Sequence, residues 1–134
     1  MKINMRNGLV YVLVLSIFLS CVSKNNLKGV PNNLIAFIKT PGLDSMSKID
    51  FENEKILQLN SPKIKIVYAT AYLHGEGFPT LRIETLQGNS LSPITHIYAF
   101  IEAKPPFEIT FDDIKYKSYK GKLMRVNGFS IKIY

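Results

Sequence analysis

A change of hydrophobic period inside one stretch, Leu91 to Ile133, constrains this chain more than any other feature. Ser92 is placed to cap a helix whose first position is Pro93, since a capping oxygen takes an orphan amide and proline has none to lose. Ile94, Ile97, Tyr98 and Ile101 follow at i, i+3, i+4 and i+7, one face of a helix, until Pro105-Pro106 ends it. The period then becomes two. Phe107, Ile109 and Phe111 alternate with Glu108 and Thr110; Asp112-Asp113 reads as a turn into Ile114, Tyr116 and Ser118, interleaved with Lys115 and Lys117. Tyr119-Lys120-Gly121-Lys122 supplies another turn, and Asn127-Gly128 is the strongest hairpin signal, set between Leu123 to Val126 and Phe129 to Tyr134. One short helix is therefore expected to lie on a sheet.

The segments upstream support the same architecture. Leu34 to Ile38 reads as a strand stopped by Thr40-Pro41-Gly42. Leu43 to Asn60 holds neither period: Phe51 to Lys55 reads as a turn, with a strand near Lys55 to Leu59. Ser61-Pro62 opens a strong strand, Lys63 to Leu73, with Ile64, Ile66, Tyr68, Thr70 and Tyr72 on one face. Its second half is apolar on both sides, as in a strand entering a sandwich core. His74-Gly75-Glu76-Gly77 is a glycine-rich turn, and Leu81, Ile83 and Thr85 alternate with Arg82 and Glu84 in the next strand. The expected fold is mainly β: a small antiparallel, immunoglobulin-like β-sandwich with one short α-helix, spanning residues 34–134.

The order Leu91-Ser92-Pro93, a helix ending in Ala103-Lys104, the segment Thr110-Phe111-Asp112-Asp113-Ile114-Lys115, and Arg125-Val126-Asn127-Gly128 before Ser130-Ile131-Lys132-Ile133 resembles the last β-rich domain of GldM. That family is the periplasmic motor arm of Bacteroidetes gliding and type IX secretion. This chain departs from its pattern at Pro106-Phe107, where the family has a glycine and an acidic residue, and at Tyr119-Lys120-Gly121, where it has Pro-Asp-Gly. The resemblance implies a β-sandwich in a cell-envelope setting, beside outer-membrane ring lipoproteins, and implies no catalytic residues.

The front of the chain points to the same compartment. Lys2 and Arg6 precede an apolar run from Gly8 through Leu19, shorter than the ~20 residues a comfortable span needs. Residues 1–20 thus read as a signal peptide. Phe18-Leu19-Ser20-Cys21 resembles the bacterial lipobox, in which the cysteine is acylated with palmitate-type chains and becomes the first mature residue. Cys21 is the only cysteine, so no disulfide forms within one copy. Multiple acyl chains give stable attachment to a membrane. Residues 22–33, rich in asparagine and lysine, read as a linker, and the absence of an acidic residue after Cys21 favours the outer membrane, periplasmic face.

Charge and chemistry narrow the function. The sequence carries 17 basic and 10 acidic side chains, net +7; without Lys2 and Arg6 the balance is 15 to 10, net +5. Such an excess suits anionic partners, and export denies nucleic acid. His74 and His96 lie apart and lack a Cys/His cluster, and His74 with Glu76 offers only two ligands where zinc takes three or four, so no metal site is expected. Asp112-Asp113 with Glu108, Glu52 or Glu54 lacks the spacing of a calcium loop. Neither a nucleophile-base set nor a cofactor motif is present, so the chain reads as no enzyme. The most informative surface candidates are Phe78, between Gly77 and Pro79, and a basic hairpin tipped by an aromatic: Lys115, Lys117, Tyr119, Lys120, Lys122 and Arg125. The expected role is a membrane-anchored scaffold binding an envelope protein, with an inhibitor or immunity lipoprotein blocking an envelope hydrolase as the alternative.

Overall fold

The computed structural model describes residues 33–96, 100 and 102–134. The leader, Cys21, the linker as far as residue 32, and Ile97, Tyr98 and Ile101 of the expected helix lie outside the described residues. The rest is mainly β. Its axis is β6, Phe107–Lys117. On one side β6 pairs antiparallel with β4, Ile66–Gly75, which pairs in turn with β5, Phe78–Gln87, through the Glu76-Gly77 turn. On the other side β7, Leu123–Val126, and β8, Phe129–Ile133, lie end to end along β6. A two-residue strand, β2 (Ser45–Met46), adds to β8 in parallel; every other pairing is antiparallel. The second layer comprises a separate two-stranded sheet, β1 (Ala36–Phe37) with β3 (Gln58–Leu59), and two short helices, α1 (Lys48–Asn53) and α2 (Ser92–Thr95).

One kink running across three strands sets the core. On β6, Phe107, Ile109 and Phe111 are buried, and then Ile114, three residues on instead of two. The opposite strands do the same: Ile133 and Ile131 are buried, Phe129 partly so, and then Val126. On β4 the buried series is Ile66, then Ala69, Ala71 and Leu73. Side chains alternate faces along a strand, so an odd step would turn half the apolar set outward unless the backbone also turned. It does, at Asp113, whose φ is 47°, and at register irregularities between Ile66 and Thr70. Asp112-Asp113 therefore bends one continuous strand and does not reverse the chain. Both halves of β6 find their ladder on β4, and Phe111 still faces Phe129 while Ile114 faces Val126.

One other expectation is corrected by the same pairing. Asn127-Gly128 is not a hairpin turn, because β7 and β8 bond to β6 and not to each other. It is the point where the partner chain follows the kink. A Cβ on Gly128 would collide with the Phe111 carbonyl oxygen. The chain reverses at Ser118 to Lys122, as the Tyr119-Lys120-Gly121-Lys122 turn leads one to expect, closed by Ser118 N to Lys122 O at 2.9 Å and Gly121 N to Ser118 O at 2.8 Å, with Gly121 at φ 77°.

Helix α1 occupies the stretch read as a turn around Phe51. Ser47 caps it, its Oγ accepting from Asp50 N at 3.1 Å, and the helix buries only Phe51. Six residues offer too little length for a period to show. In α2, Leu91 takes the cap position with no side-chain bond; Ser92 Oγ lies 2.8 Å from His96 Nδ1 instead. The two layers meet in a cluster of rings: Phe100 is 5.5 Å from both Phe51 and Phe107, and Phe78 packs edge-on to Phe107 at 4.9 Å. Edge-to-face pairs add to area burial because a positive ring edge meets a negative face.

Candidate functional site

The expected surface residues divide sharply. Phe78 is 5% exposed and belongs to the core. Flanking Gly77 and Pro79 suggest a solvent-facing tip, but the β4–β5 turn is pressed against the segment before β6. Gly77 N donates to Pro106 O at 3.3 Å, and a Cβ on Gly77 would strike the Lys104 carbonyl oxygen. Phe78 accordingly tucks inward among Phe100 and Phe107.

The other six lie together on the β6–β7 hairpin. Lys115 stands opposite Arg125 across the ladder, and Lys117 opposite Leu123. Like charges directly opposite destabilise a strand pair, and two carboxylates from the kink relieve this one. Asp113 Oδ2 is 2.9 Å from Lys115 Nζ, and its Oδ1 is 3.6 Å from Arg125 Nε. Arg125 Nη2 donates to Asp112 Oδ1 at 2.9 Å. Asp112 Oδ1 also accepts from Asp113 N at 2.7 Å. That backbone bond, helped by the Arg125 guanidinium, holds the Asp112 carboxyl below its ordinary range against a small desolvation effect. Lys115 completes the cluster by standing 5.0 Å from the Tyr68 ring centre.

Beyond this cluster the hairpin changes character. Tyr119, at the turn, is 57% exposed; on β7, Leu123 is 53% exposed on the face it shares with Lys117, while Met124 is 39% exposed on the opposite face, across from Tyr116. Lys117, Lys120 and Lys122 are exposed and have no carboxylate partner among the described residues; Lys120 stands 5.6 Å from the Tyr119 ring centre. The tip thus carries three exposed ammonium groups together with exposed Tyr119 and Leu123, on a ribbon anchored by β4. Tyr supplies contact area at low entropic cost, and unpaired lysines favour an anionic counter-surface. Leu123 and Met124 were not singled out in the sequence, since they occupy ordinary strand positions there.

A second polar feature lies on the solvent face of the sheet. His74 Nε2 is 3.2 Å from Thr110 Oγ1, which is 2.8 Å from Ser130 Oγ, forming a row across β4, β6 and β8. It borders a shallow cleft of about 320 Å³ lined by His74, Gly75, Pro106, Phe107, Glu108 and Lys132. A base beside a hydroxyl begins a nucleophile pair, but a working one also needs a group that orients the base. Among the described residues no such third group reaches His74. Among the described residues, neither His74 with Glu76 nor Asp112 with Asp113 is joined by a further His, Cys, Asp or Glu ligand. Among the described residues no three His, Cys, Asp or Glu side chains converge as a metal site would require, and no helix is long and apolar enough to cross a membrane.

Comparisons with protein-family models, with curated proteins and with solved structures find no significant match to this chain.

Proposed function

We propose that this chain is a lipoprotein acylated on Cys21, held at the periplasmic face of the outer membrane, whose β domain binds another envelope protein and catalyses no reaction. The observation that carries this reading is the basic hairpin tip, where exposed Tyr119 and Leu123 stand on one short hairpin with exposed Lys117, Lys120 and Lys122. A partner with an acidic rim around an apolar centre complements it, because rim charges steer encounter while an aromatic anchor holds the complex. The resemblance of the C-terminal stretch to GldM supports a place beside type IX secretion or gliding machinery, as an accessory and not as the motor arm.

The test is affinity capture with the full acylated protein from envelope extract, comparing wild type with K117E/K120E/K122E and Tyr119→Ala. Secretion-ring proteins recovered by wild type and lost with the charge-reversed chain are the expected outcome. Identical recovery by both chains rejects the hairpin as the interface. A single hydrolase, recovered stoichiometrically and inhibited, replaces the scaffold with an inhibitor. Labelled palmitate entering the wild-type chain but not Cys21→Ser tests the anchor separately.

A further inference from the structure

We propose that two copies of this chain pair antiparallel through their β5 strands, around a twofold axis at Ile83. This inference is independent of the hairpin reading. Strand β5 is a ten-residue edge strand, bonded to β4 on one side and to nothing described on the other. Gly88 N donates to Val67 O at 2.9 Å, and from Gln87 to Arg82 the register against β4 runs without a slip. Peptide groups alternate sides along a strand. Arg82, Glu84 and Leu86 therefore spend theirs on β4, and Leu81, Ile83 and Thr85 turn theirs to the free edge.

The side chains along that edge are self-complementary. Leu81 and Ile83 are 54% and 57% exposed, on the face away from the core. Arg82 and Glu84 flank Ile83 on the other face, and neither has an ion-pair partner among the described residues. Turning a second copy about Ile83 sets Ile83 against Ile83, Leu81 against Thr85, and each Arg82 against Glu84 of the second copy. The residues with outward peptide groups then face one another in hydrogen-bonded pairs, so backbone and side chains agree on one register. Edges that must stay single are blunted by charge of one sign; β5 alternates sign about its centre and does not repel a copy of itself. Another free edge, β7, carries Arg125 and adjoins Lys122, and antiparallel self-pairing there would bring cations together. An open groove of about 580 Å³ flanks β5, lined by Arg82, Glu84, Glu102 and Ala103 among others. It leaves room for the Arg82 side chain of the second copy.

Cross-linking of the full chain in a Cys21→Ser background tests this. A hydrogen-bonded antiparallel pair sets Cα atoms ~5.5 Å apart, within disulfide range, so Ile83→Cys should form a covalent dimer under mild oxidation. Leu81→Cys, equally exposed but offset along the ladder, should not. Separately, R82E should weaken dimerisation at least tenfold by sedimentation, and the charge-swapped R82E/E84R chain should recover it. Selective cross-linking together with that rescue is the expected result. Equal cross-linking of the two cysteine variants, or a charge-swapped chain no better than R82E alone, overturns the proposal.

Discussion

Replacing Gly128 with alanine probes the kink that phases the whole core. At an unstrained, open position Gly→Ala stabilises by about 0.4–1 kcal/mol, because it restricts the unfolded chain. Gly128 is not open: an added Cβ would collide with the Phe111 carbonyl oxygen and lie 3.3 Å from both Asp112 Cα and Oδ1. Two of these three atoms are backbone and cannot rotate away. The strands must separate where Phe111 faces Phe129, loosening a ring stack with centres 5.1 Å apart. Overpacking of this kind costs about 1–3 kcal/mol, and with part of the ring contact also lost we expect a net destabilisation of about 2–3 kcal/mol. Urea unfolding followed by tyrosine fluorescence measures it. With a slope of ~1–3 kcal/mol per molar, the midpoint should fall by about 0.7–3 M at unchanged slope. Gly121→Ala is the control, since φ is 77° there with nothing within 4 Å of the new Cβ; only the left-handed backbone cost of ~1–2 kcal/mol applies. If Gly128→Ala is as stable as the parent, or clearly less damaging than Gly121→Ala, the tight approach of the two strands at the kink is refuted.

Further outcomes follow from the same geometry. The Asp112 carboxyl is held low in the folded state, so its contribution to stability is present above the unfolded carboxylate pKa and is lost as pH falls through the folded value. Asp112→Asn should flatten the acid limb of the stability–pH curve below the ordinary carboxylate range, and an unchanged limb would show that Asp112 contributes nothing there. Phe78→Ala should lower stability by about 3–5 kcal/mol, read as a drop in melting temperature, since Phe78 is packed among rings and is not a contact for a partner. Loss of binding at full stability would contradict that placement.

Much of the sheet was legible in the residues themselves. The alternation of Phe107, Ile109 and Phe111 marks a strand with one buried face, and the odd step to Ile114 marks a disturbance at Asp112-Asp113. Whether that disturbance reverses the chain was not legible. A tight turn and a kink use the same residue types, Asp tolerating the positive φ that Asp113 adopts. The difference rests on β4, some forty positions away, bonding to both halves of β6. Asn127-Gly128 misled for the same reason. Its composition suits a two-residue hairpin, but here the missing Cβ serves a close approach to Phe111. Phe78 shows the converse at the site, since its neighbours describe a loop tip and only the Lys104 to Pro106 segment folded against that tip makes it core.

The amino-acid order alone therefore settled the class of structure, because face alternation is a local property of each strand. It also marked the lysines and tyrosine of one hairpin as a group, since they are close in sequence. Pairing settled the remainder: which cations are neutralised at the kink, which apolar side chains stay exposed at the tip, and which strand is left with a free edge. Those outcomes depend on hydrogen bonds and carboxylates contributed from distant positions, and a linear reading carries no term for contacts that exist only once the sheet has closed.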